Sequence, residues 1–121
     1  MCLTARHLED HGQETTAAKL MRDAVKKFPK NFNIFAVSAD LQRKINDYHL
    51  AQQYYKKAAE LNPTSPSAQM NLGAMYHMLM KFDLAEKCYL KALELAPNDQ
   101  STIDNLIKLR NTMKKKEKII S

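Results

Sequence analysis

A 34-residue period runs through this chain and leaves little choice of fold. Three of its four prolines, Pro29, Pro63 and Pro97, stand 34 residues apart. Five residues before each is an alanine (Ala24, Ala58, Ala92), and twelve before each is another (Ala17, Ala51, Ala85). Eight before each is a large residue: Met21, Tyr55 and Tyr89. Agreement at four independent offsets marks a repeat array, in which every unit is one supersecondary element that buries its apolar face against its neighbours. The 121 residues hold three such units and a remainder. Two glycines and four prolines are too few for the tight turns of a strand-rich fold. No apolar run approaches the roughly 18 residues of a membrane-spanning helix.

Each unit reads as two helices. The clearest starts at Pro66, where the missing N–H is harmless in the first helical turn and Ser65 is placed to cap. Its first helix (about 66–80) carries Leu72, Gly73 and Tyr76, and its second (about 83–95) carries Ala85, Tyr89, Ala92 and Leu93. Gly73, Ala85 and Ala92 are small where two backbones must approach; Tyr76, Phe82 and Tyr89 fill the space between helices. Pro97 stops the second helix, since it has no N–H to donate and its ring excludes another turn.

This pattern resembles the tetratricopeptide repeat, on Leu72-Gly73, Tyr76, Ala85, Tyr89, Ala92 and Pro97 in the last unit. The middle unit repeats it with Phe35, Ala39, Tyr48, Ala51, Tyr55, Ala58 and Pro63. The first is thinner, with Ala5, Leu8, Gly12, Ala17, Met21, Ala24 and Pro29. By the same register its opening helix starts about three residues before Met1, so the array reads as cut or abbreviated. The resemblance implies an all-α, right-handed α-solenoid of three helix pairs plus a capping helix, seven helices in all. The units are 1–29, 30–63 and 64–97, followed by a capping helix over 98–118 and a short tail over 119–121. Asn98-Asp99 supplies the turn into the last helix, and Ile103, Leu106, Ile107, Leu109 and Met113 its apolar side. Both glycines, Gly12 and Gly73, are assigned packing roles.

The net charge of +6 is unevenly spread. Residues 108–121 carry Lys108, Arg110, Lys114, Lys115, Lys116 and Lys118 against Glu117 alone, while the rest of the chain is nearly neutral. Such a run suits the negative end of a helix dipole, or a contact with anionic lipid or nucleic acid. No aromatic residue interleaves the lysines, which argues against single-stranded nucleic acid.

Catalytic chemistry is missing from the pattern. His7 and His11 are one helical turn apart, as two zinc ligands require, yet no Cys or carboxylate motif completes the set and Glu9 with Asp10 reads as surface charge. There is no glycine-rich phosphate loop. Cys2 and Cys88 lie about two repeats apart, too far to bridge. The reading is of a non-enzyme without cofactor or metal. Of the methionines, Met75 is expected to pack inward, with Met70 and Met78 on the opposite face.

In the repeats this chain resembles, the first helix of each pair lines a concave inner wall. That implies a wall of Asn33, Val37, Asp40 and Lys44 in the middle unit. The last unit supplies Met70, Asn71, Ala74, His77 and Met78, and the final helix adds Asn105 and Lys108, with Asp104 beside them. Apolar patches among amides and a few charges suit an extended peptide, and Asn71 is placed to hold a peptide backbone. Some members of the fold grip chaperone C-terminal carboxylates with wall cations. The corresponding positions here, Cys2, Arg6, Val37, Ser67 and Asn71, mostly lack charge, which argues against that ligand.

A narrower resemblance covers 68–116. The run Met70-Asn71-Leu72-Gly73-Ala74-Met75, then His77, Ala85-Glu86, Tyr89-Leu90-Lys91-Ala92-Leu93, Asn105-Leu106, Lys108-Leu109 and Met113 is similar to the C-terminal end of the transmembrane and tetratricopeptide-repeat O-mannosyltransferases. It implies the lumenal end of an endoplasmic-reticulum enzyme, without its membrane helices or catalytic groups, that recruits a protein acceptor. Without that resemblance the chain reads as a cytoplasmic scaffold using its basic last helix. Either way a protein or peptide partner and a monomeric state are expected.

Overall fold

A computed structural model describes residues 2–120, and the side chains of residues 12–118. Six helices follow one another: α1 (Cys2–Lys27), α2 (Phe32–Lys44), α3 (Tyr48–Leu61), α4 (Pro66–Met78), α5 (Phe82–Leu95) and α6 (Gln100–Ile120). The 34-residue period survives in the backbone: α2, α4 and α6 start at 32, 66 and 100, and α3 and α5 at 48 and 82. The helices fall into two compact units, Met1–Leu61 and Asn62–Ser121.

In the first unit α2 packs on both α1 and α3. The Asn31 side chain caps α2 by accepting from the Ile34 N–H at 3.1 Å. Ala39 and Ala51 are fully buried, so their small side chains let α2 and α3 approach. Val25, Phe35 and Ala58 form a core cluster, with Phe35 edge-on to Tyr54 at 5.8 Å between ring centroids. Two polar side chains are also interior: Gln42 donates to the Ala18 carbonyl of α1 at 3.3 Å, and Ser38 donates to that of Met21 at 3.5 Å. The Gln42 Oε1 atom is buried without a partner.

In the second unit the Ser65 side chain accepts from the Ala68 N–H, and Pro66 opens α4. Gly73 lies under the Tyr89 ring: a Cβ there would sit 2.8 Å from Cε1 and 2.9 Å from Cδ1. Ala85, Ala92 and Leu109 are fully buried, as is Tyr89 apart from 1%. Thr102 is interior in α6 and donates to the Asp99 carboxylate ahead of the helix. Met75 is buried, while Met78 is 54% exposed and Met70 half-buried.

The first unit departs from expectation. Where a helix pair was expected over 1–29, α1 is one helix of 26 residues, so the described residues form six helices and two complete pairs. The two turns that do form put Asn46 (φ 67°) and Met80 (φ 62°) in the left-handed region. The residue in the same register of the first unit is Gly12, for which that conformation would cost least, yet no glycine has positive φ. The cause lies in the neighbours. The turns over 45–50 and 79–84 are flanked by Ile45, Tyr48 and Leu50, and by Leu79, Phe82 and Leu84. Their counterparts are His11, Glu14 and Thr16, which offer nothing apolar to hold a turn closed. An unbroken helix then satisfies the backbone N–H and C=O groups that a turn would leave open. Ala17, Met21 and Ala24 are consequently only half-buried, unlike their fully packed counterparts in α3 and α5. Gly12 also has no packing role, since a Cβ there would meet nothing within 4 Å. The side chains of Cys2, Ala5, Arg6, His7, Leu8 and His11, named above on sequence grounds, lie outside the described residues.

Candidate peptide-binding face

The amphipathic arrangement of α4 decides which of its side chains can meet a partner. Ala68, Leu72, Gly73, Met75 and Tyr76 are buried and occupy one arc of the helix. Met70, Asn71, Ala74, His77 and Met78 share the opposite arc, half-buried apart from exposed Met78. Within the same unit α6 packs against α4 and carries half-buried Asn105 and exposed Lys108. The His77 ring stands edge-on to Phe82, 5.8 Å between centroids, and its burial holds its pKa below the ordinary 6.5. The other arc carries the buried contacts of α4, and this stripe keeps partial solvent exposure.

In the first unit Asn33, Val37 and Lys44 are exposed on α2. Asp40 is different. It accepts a hydrogen bond from the Tyr55 hydroxyl and lies 3.9 Å from Arg43, so its carboxylate already serves α2 and α3. Burial and this bond push the Tyr55 pKa well above the ordinary tyrosine value.

Pro63 and Pro97 are exposed, as helix-stopping residues in connecting turns usually are. Cys88 is a buried free thiol, and desolvation raises its pKa to about 11. Among the described residues no three His, Cys, Asp or Glu side chains gather as a metal would need. No helix among them is long and apolar enough to cross a membrane. Two of the cations in the basic run are engaged with α5: Arg110 lies 3.4 Å from Glu86, and the Lys116 ammonium 5.3 Å from the Phe82 ring centroid. Lys114, Lys115 and Lys118 are exposed.

Sequence reasoning missed one feature of the second unit. A pocket of about 470 Å³ opens between the α4–α5 turn and the far part of α6, lined by Met80, Lys81, Phe82, Asp83, Leu84, Met113, Lys116 and Glu117. A signal for it was present in the repeat itself. At the matching turn of the first unit, Asn46 takes the positive φ, the Tyr48 hydroxyl donates to it, and the Asp47 side chain caps α3 by accepting from the Leu50 N–H. In the second unit Met80 and Lys81 replace Asn46 and Asp47, and Lys81 makes no side-chain cap. A left-handed residue without a locally bonding side chain costs roughly 1–2 kcal/mol, and a missing cap about 1 kcal/mol.

Known proteins place this architecture. Two family profiles, both described as tetratricopeptide repeat, match residues 33–65 and 66–99. Together they span more than half of the chain, which belongs to the tetratricopeptide-repeat family and has its all-α fold. Among solved structures, the first repeat domain of Spaghetti (RPAP3) bound to the HSP90 peptide SRMEEVD is similar with a TM-score of 0.78 and 22% identity, covering 91% of this chain and 87% of that one. The second repeat domain of human RPAP3 in complex with the HSP70 peptide SGPTIEEVD gives 0.76 at 20% identity, covering 87% and 88%. A crystal structure of MamA gives 0.80 at 20% identity, covering 87% of this chain but 61% of that one. No curated protein sequence matches the chain.

Proposed function

We propose that this chain is a non-catalytic protein-interaction module that takes an extended peptide segment on the first helix of a repeat. The observation that carries this reading is the α4 stripe of Met70, Asn71, Ala74 and Met78, which mixes apolar patches with an amide opposite a completely packed arc. Solved relatives of the same fold hold peptides, which supports the class of ligand. Their chaperone tails are a poor match here, because Val37 and Ser67 offer no charge at the positions that would hold terminal carboxylates. Within the second unit Asn105 and Lys108 on α6 add to this face; in the first unit Asn33, Val37 and Lys44 form a row of their own on α2. Asp40 belongs to the same set: Tyr55 donates to one of its oxygens, and its side chain is 46% exposed.

The test is selection from a displayed library of random 12-residue peptides, followed by affinity measurement on a triple variant, Asn71→Ala, Ala74→Asp and Met78→Asp. Selected peptides are expected to bind this variant at least tenfold more weakly while its helical circular dichroism is unchanged. Undiminished binding removes the face from consideration.

The finer reading, that the module ends an O-mannosyltransferase-like protein of the endoplasmic reticulum, rests on the residue run over 68–116 alone. It requires several hydrophobic segments of about 20 residues encoded upstream of Met1. A transcript that lacks them rejects it.

A further inference from the structure

We propose that the open side of α1 is a dimer interface, covered by the N-terminal segment of α1 from a second copy of this chain. Four register positions mark it. Ala17, Leu20, Met21 and Ala24 correspond to Ala51, Tyr54, Tyr55 and Ala58 in α3, and to Ala85, Cys88, Tyr89 and Ala92 in α5. In α3 and α5 all of these are buried except half-buried Tyr54. In α1 none is: Leu20 is 65% exposed and the other three are half-buried. A loose helix is not the cause. The neighbouring arc of α1, with Ala18 and Val25 buried, is fixed on α2 by the bonds that Ser38 and Gln42 donate to its carbonyls.

In the complete pairs the first helix covers this side of the second. The Tyr55 hydroxyl of α3 reaches Asp40 of α2, and the Tyr89 ring of α5 lies over Gly73 of α4. The first unit has a segment in the same register, residues 2–10, with Ala5 at the place of Ala39 and Gly73 and Leu8 at that of Tyr76. It cannot turn back onto its own helix, because α1 runs unbroken from Cys2 to Lys27. Ala5 and Leu20 therefore stand on one rod, about 22 Å apart along its axis at 1.5 Å per residue. Only another molecule can bring such a segment to the open side.

Symmetry selects a second copy as that molecule. Setting Ala5 against Leu20 and Met21, as Gly73 is set against Cys88 and Tyr89, makes two α1 helices antiparallel and centres them near Gly12 and Gln13. An antiparallel pair of identical helices with one centre is two-fold symmetric. Residues 2–10 of each copy then lie on the open side of the other, and every contact forms twice. Gly12 and Gln13 are exposed, and a Cβ at Gly12 would meet nothing within 4 Å, so the centre is unobstructed. Ala17, Met21 and Ala24 follow one another at spacings of four and three, the seam by which helices pack side by side. The exchange recovers between chains the contacts that the missing turn denies within one, which is the logic of domain swapping. It makes the chain a dimer in place of the expected monomer, and it uses no residue of the α4 face.

The experiment uses the full chain, weighed by light scattering over a dilution series and then trapped by disulfides. The parent is expected at twice the mass of one chain. Leu20→Glu, at an exposed site, is expected to raise the dissociation constant of the dimer at least tenfold while helical circular dichroism is unchanged. Trapping uses Ala5→Cys with Leu20→Cys in a Cys2→Ser background. At the matching pair a Cβ on Gly73 would stand 3.2 Å from that of Cys88, close to the roughly 3.5–4.5 Å that a disulfide spans. Cys88 itself is buried and takes no part. Oxidation is expected to join two chains. A cross-link within one chain would mean that the first unit closes as a hairpin, and overturns the proposal. A parent that keeps the mass of one chain throughout and forms no cross-link also overturns it, leaving the face bare or for a different protein. So does a Leu20→Glu dimer as tight as the parent, since the copies would then meet elsewhere.

Discussion

Replacing Gly73 by alanine is the sharpest test of how the second unit is held together. The new methyl would stand 2.8 and 2.9 Å from two Tyr89 ring carbons and 3.2 Å from the Cys88 Cβ. Carbon atoms in contact prefer about 3.5–4.0 Å, so the ring must withdraw by nearly 1 Å. It has little room to do so, being 1% exposed among packed neighbours. Overpacking of this kind costs about 1–3 kcal/mol, against which alanine gains at most about 1 kcal/mol over glycine inside a helix. The net expectation is a loss of about 1–2 kcal/mol, or some 5–10 °C in the melting temperature of a unit this small. Gly12→Ala is the matched control: the same substitution inside a helix, with nothing within 4 Å of the new methyl. It should gain about 0.5–1 kcal/mol. Thermal and urea melts followed at 222 nm measure both, and a Tyr89→Leu background should remove most of the Gly73→Ala penalty in a double-mutant cycle. If Gly73→Ala stabilises the protein as Gly12→Ala does, close contact between α4 and α5 at this point is refuted.

Further expectations follow from individual side chains. Gln42→Leu removes a buried oxygen that has no partner, and should hold or raise stability by about 1 kcal/mol in a urea melt despite losing the bond to the Ala18 carbonyl. Ala92→Leu, at a fully buried site, should cost about 1–3 kcal/mol by the same measure. Burial raises the pKa of Cys88 from 9.0 to about 11 and of Tyr89 from 10.0 to about 12. Both groups bind protons more tightly folded than unfolded, so stability should be flat up to about pH 9 and fall as pH rises toward 11–12. A urea midpoint unchanged between pH 8 and 11 would count against their burial. His77 is shifted the other way, and proton NMR should place its titration midpoint below 6.5.

The period made the two complete pairs legible residue by residue. Ala51, Ala58, Ala85 and Ala92 are small because neighbouring backbones approach, and Pro63 and Pro97 end helices because they cannot donate a bond. The same period misled at the first unit. Ala17, Met21 and Ala24 keep the register of α3 and α5, yet Glu14 and Thr16 stand where Tyr48 and Leu50, or Phe82 and Leu84, flank a turn. The register matched and the turn did not form.

The candidate face was legible to the extent that helix periodicity separates the arc of Asn71 and Met78 from that of Leu72 and Met75. The bond from the Tyr55 hydroxyl to Asp40 was not, because register says nothing of a group 15 residues away in sequence. The pocket also escaped notice, since Met113 and Lys116 meet Met80 and Leu84 only after α6 has folded back over α5. Sequence alone therefore determined what depends on local spacing: where helices start, where they stop, and which residues must be small. Tertiary structure decided what depends on contacts between distant segments, namely whether a turn closes and which polar groups are already taken. Those outcomes are set by partner atoms brought near through the fold, and no local pattern encodes their distance.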